Sequence, residues 1–561
     1  MASLSPPPAI PTTSTKPLSP FSQNSSQVSL LSKPKRSFSP RVSCKAKNTD
    51  NQNDQAQTKL DRRNVLLGLG GLYGVAGLGT DPFAFAKPVA PPDVSKCGAA
   101  DLPTGATPTN CCPPPATKII DFKLPAPGQL RVRPAAHAVD QAYIEKYSKA
   151  IELMKALPDD DPRSFKQQAN VHCAYCDGAY DQAGFPDLEL QIHNSWLFFP
   201  FHRYYLYFYE KILGKLINDP TFALPFWNWD SPAGMQLPAL FANPKSPLYD
   251  KLRAASHQPP TLIDLDYNGT DEKVSNETQI NANLKIMYRQ MVSNAKNPQL
   301  FLAIPTGQPN FEDMGNFYSA ARDPIFFSHH SNVDRMWSIW KTLGGKRTDI
   351  SESDWLDSGF LFYNENAELV RVKVRDSLES KRLGYVYQEV DIPWLQSKPT
   401  PRRAKLAMSK IAKKLGVAHA AESSAKIVAG REFPINLETK ISTVVPRPKQ
   451  KKRNKKEKEE EEEILVIEGI EFDRDVAVKF DVYVNDVDDL PSGPDKTEFA
   501  GSFVSVPHRH KHKKKINTIL RLGLTDLLED IDAEDDESVV VTLVPKYGAV
   551  KIGGVKIEFA S

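Results

Sequence analysis

The stretch Asp323-Pro324-Ile325-Phe326-Phe327-Ser328-His329-His330-Ser331-Asn332-Val333-Asp334-Arg335-Met336-Trp337 decides how this chain is read. Asp323-Pro324 opens a helix here and Gly344-Gly345 stops it, so one helix is expected over 324–343. It carries two adjacent histidines straight after an apolar run. A single histidine in such a setting is most often a satisfied core residue. Here the setting recurs: His172 lies in Val171-His172-Cys173-Ala174-Tyr175-Cys176, His193 in Gln191-Ile192-His193-Asn194-Ser195-Trp196, and His202 in Phe199-Pro200-Phe201-His202-Arg203. Neutral imidazole suits copper, zinc, iron and nickel, and copper heads the divalent affinity order, so copper is the natural metal for an all-imidazole set. The runs Trp196–Phe201 and Ile325–Phe327 would wall a dry aromatic cavity suited to planar phenols and bound oxygen.

Outward from these motifs the chain reads as helical. Asp140 is a candidate N-cap, followed by Tyr143, Tyr147, Ile151 and Met154 at helical spacing. Further helices are expected at about Ser164–Tyr175, Leu188–Ile217 and Thr278–Ala295. Beyond Trp394 the character changes. Lys398–Lys414 is basic, and Lys449–Glu463 runs from a lysine block into a glutamate block, so residues 397–462 read as a charged linker open to proteolysis, with helical propensity near Lys405–Leu415. After it, alternating runs such as Val476–Val484 and Ser538–Val544 predict a β-sandwich over 463–561. The expected fold class is therefore mainly α, a helical-bundle domain over 87–396 with a C-terminal β-sandwich.

Composition narrows the function classes. A chain of 561 residues suggests two domains plus tails. Its 71 basic and 68 acidic residues leave a net charge of +3, which gives no electrostatic reason to expect nucleic acid or an anionic membrane as partner. The first 49 residues hold no Asp or Glu and seven Lys or Arg, with many Ser, the bias of a chloroplast transit peptide, expected over 1–60. Asp61-Arg62-Arg63-Asn64, the apolar run Val65–Leu78 and Ala84-Phe85-Ala86 then read as a twin-arginine signal over 61–86, too short and glycine-rich for a stable membrane span. The two signals in series predict the thylakoid lumen, where disulfides are plausible. Of the six cysteines Cys44 falls in the discarded segment, and Cys97, Cys111, Cys112, Cys173 and Cys176 remain, an odd number. If Cys111 joins Cys173 the closed loop spans 62 residues, worth roughly 4 kcal/mol in the chain-entropy picture, and Cys176 is left over.

His172–Cys176, His193–Arg203, Pro225-Phe226-Trp227-Asn228-Trp229-Asp230 and Asp323–Trp337 together resemble the signatures of the plant polyphenol oxidases, the catechol oxidase and tyrosinase family. Asp354-Trp355-Leu356 and Lys479-Phe480-Asp481-Val482 extend the likeness across essentially the whole chain. The resemblance implies a two-copper enzyme that oxidises o-diphenols to o-quinones and reduces O2 to water, with a C-terminal domain covering the mouth of the site. It implies His172, His193 and His202 as ligands of the first copper and His330 as a ligand of the second. It further implies a thioether between Cys176 and His193, disulfides among Cys97, Cys111, Cys112 and Cys173, His329 as a neighbouring residue near the substrate, and Phe317 as the bulky residue above the metals. Asp334, one turn beyond His330, is placed either to orient that ring or to serve the helix structurally.

The likeness breaks at one place. Relatives carry a Pro-His-x-x-x-His segment that supplies the other two ligands of the second copper, and here Pro298-Gln299-Leu300-Phe301-Leu302-Ala303-Ile304-Pro305-Thr306-Gly307 contains no histidine. Nor does any His-x-x-x-His occur within 87–396, and His137 and His257 stand in other contexts. His508, His510 and His512, in the last domain, read as a solvated basic rim. About one copper is therefore expected, with a small phenol and O2 as partners. Three readings stand: a catechol oxidase whose sequence has lost a segment, an inactive single-copper isoform acting as a binding protein, and an oxygen carrier, which plastid targeting disfavours.

Overall fold

The computed structural model describes residues 87–560 except 103–105, 117, 194, 269–272, 302–313, 403–425, 449–452, 487–492 and 506–514. The expected signals at 1–60 and 61–86, the helical stretch near Lys405–Leu415 and the His508, His510, His512 triplet lie outside the described residues. Among the described residues no helix is long and apolar enough to cross a membrane.

Five long helices build the first half. Helix α1 (Gln141–Lys155) is capped by the Asp140 carboxylate, which accepts from the Tyr143 amide, and buries Tyr147, Ala150, Ile151 and Met154 on one face. Helix α2 (Phe165–Cys176) is capped in the same way by Ser164. Helix α3 (Phe198–Leu216) starts ten residues later than the sequence suggested: Leu188 belongs to the short strand Phe185–Glu189, which pairs with Asp181–Gln182 across a turn where Gly184 has φ +86°. Almost every residue of α3 from Phe199 to Gly214 is buried, so it is a core helix that packs against α1 and α5. Helix α4 (Asn276–Tyr288) continues as one π-helical turn over Arg289–Ser293, and α5 (Ile325–Thr342) is the expected helix.

Several charges buried between these helices are paired. Arg203 of α3 donates to the Asp334 carboxylate of α5 (2.5 Å) and to the carbonyls of Ser377 and Leu378 (both 2.9 Å). The Tyr385 and Tyr387 hydroxyls donate to the other Asp334 oxygen at 2.6 and 2.5 Å. Burial disfavours the charge on Asp334, yet Arg203 and Arg133 hold its carboxyl below the ordinary range. Of the two roles the sequence left open, Asp334 takes the structural one. Glu210 is clamped likewise by Arg131 (2.9 Å) and Arg133 (2.8 Å).

The proline-rich arm 87–134 is tied down by the disulfides Cys97–Cys112 and Cys111–Cys173 and by Ile119–Asp121, which pairs in parallel with Leu369–Arg371. Cys176 is buried and forms no disulfide.

The last domain is a sandwich of two sheets. One runs in the order Phe499–Ser505, Val478–Val484, Ser538–Tyr547, Ile441–Pro446, Lys426–Ile427. The other is built on the long strand Glu462–Asp473, flanked by Lys515–Gly523 and Gly554–Ala560. Ile467, Phe472, Val478, Phe480, Val482 and Leu543 are among the residues that fill the core between them. The linker expected over 397–462 is corrected here. Ile441–Pro446 is an inner strand, because the alternation Ile441, Thr443, Val445 gives it a buried face to lay on the sheet. Lys455–Glu460 is a helix, because Asn454 and Glu457 form a reciprocal capping box.

Candidate metal centre

Three helices and one irregular stretch bring the four predicted ligand histidines together. His172 comes from α2, His193 from the irregular stretch before α3, His202 from the second turn of α3 and His330 from the second turn of α5. All four are buried. The rings of His172, His193 and His202 lie with centroids 5.0, 5.4 and 5.7 Å apart, so the three histidines expected at the first copper do form one cluster. His330 joins them rather than standing apart: its ring is parallel to that of His202 at 4.1 Å and 6.4 Å from that of His172.

Hydrogen bonds decide which nitrogens are presented. His172 Nδ1 lies 2.6 Å from the carbonyl oxygen of Phe317, and His202 Nδ1 lies 2.8 Å from that of Phe198. A carbonyl only accepts, so both Nδ1 atoms carry the proton and both Nε2 atoms hold a free lone pair. Those Nε2 atoms, and Nδ1 of His330, are buried without a hydrogen-bond partner. Two groups of converging donor atoms result, each with its atoms within 4.8 Å of one another: His172, Cys176 and His193, and His172, His202 and His330. Burial pulls the His172 imidazole down to about 4, against the hydrogen bond to Phe317. The His330 ring is pushed well below its ordinary value, first by burial and then by the other histidines. Neutral rings with buried, unshared lone pairs are the chemistry of a soft or borderline cation seat, and the residues present fit a copper ion.

The surroundings are aromatic, as expected. Phe317 stacks on His193 with centroids 4.0 Å apart and planes 5° off parallel, and Phe326 packs on His172 (4.8 Å) and His330 (4.3 Å). Phe326 lies in the run Ile325–Phe327 that the sequence marked as a cavity wall, whereas the two orienting carbonyls, of Phe317 and Phe198, were missed. The second was accessible, since Phe198 precedes His202 by four residues and an i−4 carbonyl is always within reach of a helical side chain. His329, partly exposed, has its ring 5.1 Å from that of His330 and 6.0 Å from that of Trp229. His257 sits against Tyr267 and is not a member of either histidine group. Phe301 is buried between Phe199 (4.7 Å) and Trp340 (4.4 Å). It is the last described residue before 302–313 and lies within the stretch Pro298–Gly307 in which the other two ligands were sought.

Comparison with known proteins agrees with this chemistry. The common central domain of tyrosinase matches in two pieces, 162–301 and 302–343, the polyphenol oxidase middle domain matches 349–400, and the chloroplastic polyphenol oxidase C-terminal domain matches 433–559. A chloroplastic polyphenol oxidase of Malus domestica is 81% identical across the full length of both chains. Aureusidin synthase of Antirrhinum majus is 54% identical over 92% of this chain and 98% of its own. Latent apple tyrosinase superposes with a TM-score of 0.74 at 78% identity, covering 79% of this chain and all of that one. An all-histidine cluster in an aromatic pocket, a helical domain followed by a β domain, and these matches lead to one conclusion: the chain belongs to the polyphenol oxidase family of tyrosinase-type copper oxidoreductases.

Proposed function

We propose that this chain is built for the copper-dependent oxidation of o-diphenols to o-quinones by O2 and that, with the sequence it has, it holds a single copper and turns over little diphenol. The observation that carries this reading is where the likeness to relatives is interrupted. The tyrosinase domain match divides between Phe301 and Leu302. The alignment to the apple relative runs over 594 positions while this chain has 561 residues, so at least 33 positions face nothing here. Both findings support a missing segment where the His-x-x-x-His of the second copper would stand.

Copper, when bound, supplies the one-electron steps between phenol and oxygen. The protein's own part is to hold neutral imidazoles in place, through the Phe317 and Phe198 carbonyls, and to keep water out with Phe317 and Phe326. Cys176 is the residue for a thioether to His193, since its sulfur converges with that ring and with His172. With one copper we expect that bond to remain unmade. The tandem signals at 1–60 and 61–86 support import into the chloroplast and onward into the thylakoid lumen.

The second reading is an active oxidase from which the segment was lost at the level of the transcript or its assembly. The 81% identity to an oxidase outside the gap favours it. Sequencing transcripts across Asn297–Phe311 separates the two. Copper content and oxygen uptake with a catechol then test the first: two coppers per chain with rapid uptake would refute it.

A further inference from the structure

We propose that the helical and β domains are held together by a charge-complementary interface, cationic on the helical side and anionic on the β side, that does not depend on the chain connecting them. The partner this cationic face fits is the β domain as a separate piece. Cutting the connection and uncovering the face are then two events, and ionic strength governs the second.

The cations come from the end of α4 and the stretch after it, from the turn after α5, and from residues 398–402. Lys296 Nζ lies 2.5 Å from the Asp526 carboxylate and 3.4 Å from that of Glu462. Lys398 lies 2.6 Å from Asp530, and Arg402 lies 3.4 Å from Asp486 while its amide donates to Glu498 at 2.9 Å. Arg289, in the π-helical turn, is buried, donates to the Lys496 carbonyl at 2.7 Å and sits 5.2 Å over the Phe499 ring. Lys346 donates to the Glu460 carbonyl. Side chains of one charge on the helical side thus meet carboxylates and carbonyls of the β domain, and Lys479 with Asp266 is a pair that runs the other way.

Both sides keep these groups when the chain is cut between them. Trp394 is fully buried and its indole donates to Asp230 at 2.9 Å, so residues 397–402 stay anchored to the helical domain. Lys426–Ile427 already pairs with Ile441–Ser442 in the β domain. A cut between Arg402 and Lys426 therefore leaves every contact above in place and removes only the tether, which contributes an effective concentration in the millimolar range for short linkers. The remaining attraction is open to screening, because the Lys398 and Lys296 side chains are 50% and 24% exposed. Charges so placed act over about 10 Å at 0.1 M salt and over only about 3 Å at 1 M. An apolar contact, Leu300 against Ile464, Val466 and Ala560, adds to the junction and is indifferent to that screening. Salt therefore separates the two contributions.

The test places a site-specific protease sequence at 421–424 in the full chain and follows the cut protein by gel filtration and by the dissociation constant of its two pieces. The pieces should elute together at about 0.05 M salt, and the dissociation constant should rise at least about tenfold at about 1 M. Asp530→Lys should weaken the association by about tenfold at low salt, and adding Lys398→Asp should recover most of that loss. Separation at low salt as soon as the chain is cut would overturn the proposal, because the connection would then be what holds the domains. Elution together with an unchanged dissociation constant at 1 M would also overturn it, and would give the junction to Leu300 and its apolar partners. A double reversal that recovers nothing would remove the Lys398–Asp530 pair from the interface proposed. The salt series needs no variant, so it decides even if Asp530→Lys fails to fold.

Discussion

The two halves of the metal centre make an instructive pair. The half contributed by α2, the stretch before α3, and α3 keeps its full complement: His172, His193 and His202, two of them oriented by backbone carbonyls. The half contributed by α5 keeps His330 alone, yet α5 is no less well built. Most of its residues from Ile325 to Trp340 are buried, and it is clamped to α3 through Asp334 and Arg203. The scaffold around a metal ligand and the ligand set itself are therefore separable. Packing and buried ion pairs hold α5 in place independently of any metal, so on the proposed reading a sound fold would surround an incomplete centre.

The comparison is broken most directly by restoring what one half lacks. Inserting a family-like segment with His-x-x-x-His between Phe301 and Gln308 should raise copper from one to two per chain and bring catechol-dependent oxygen uptake up from near background. A second copper without uptake would mean that more than ligands is missing. His202→Ala, on the intact half, should abolish most binding of the remaining ion, read by metal analysis after dialysis, because it removes the imidazole that sits closest to His330.

Smaller effects probe the scaffold. Asp334→Asn leaves Arg203 buried with half its partner gone and should cost about 3–5 kcal/mol in urea unfolding. The native carboxyl is held below its ordinary value, so its contribution is present above roughly pH 4 and is lost as pH falls through the folded value. The Asn variant should therefore show a shallower acid limb.

Lys479 tests the junction with the β domain. Its buried ammonium donates to Asp266 and Asn268 and to the carbonyls of Asp266 and Tyr267, at 2.6–3.2 Å. Lys479→Ala should weaken docking by about 1–3 kcal/mol and speed proteolytic separation of the two domains, with little change in metal content. Unchanged digestion would make this contact incidental. The finest difference is chemical: Cys176 should take up an alkylating label in the denatured, reduced chain, and should be blocked once the inserted segment completes the second centre.

Much of this was written in the sequence. Helix α5 was bounded by Asp323-Pro324 and Gly344-Gly345, α1 by Asp140, and the β-sandwich by its alternating runs, because capping and periodicity are local properties of the chain. The four histidines were marked by their aromatic settings. Tertiary structure decided the rest. The charged stretch before the sandwich looked solvated because composition is blind to a partner strand, and it took Ser538–Tyr547 alongside to make Ile441–Pro446 an inner strand. Asp334 could face His330 or the core by spacing alone, and only the approach of Arg203, Tyr385 and Tyr387 from distant segments gave it to the core. The grouping of His330 with His172 and His202 was likewise beyond the sequence. Which lone pairs meet depends on ring orientations fixed by carbonyls and by aromatic stacking across three helices, and no local spacing encodes that.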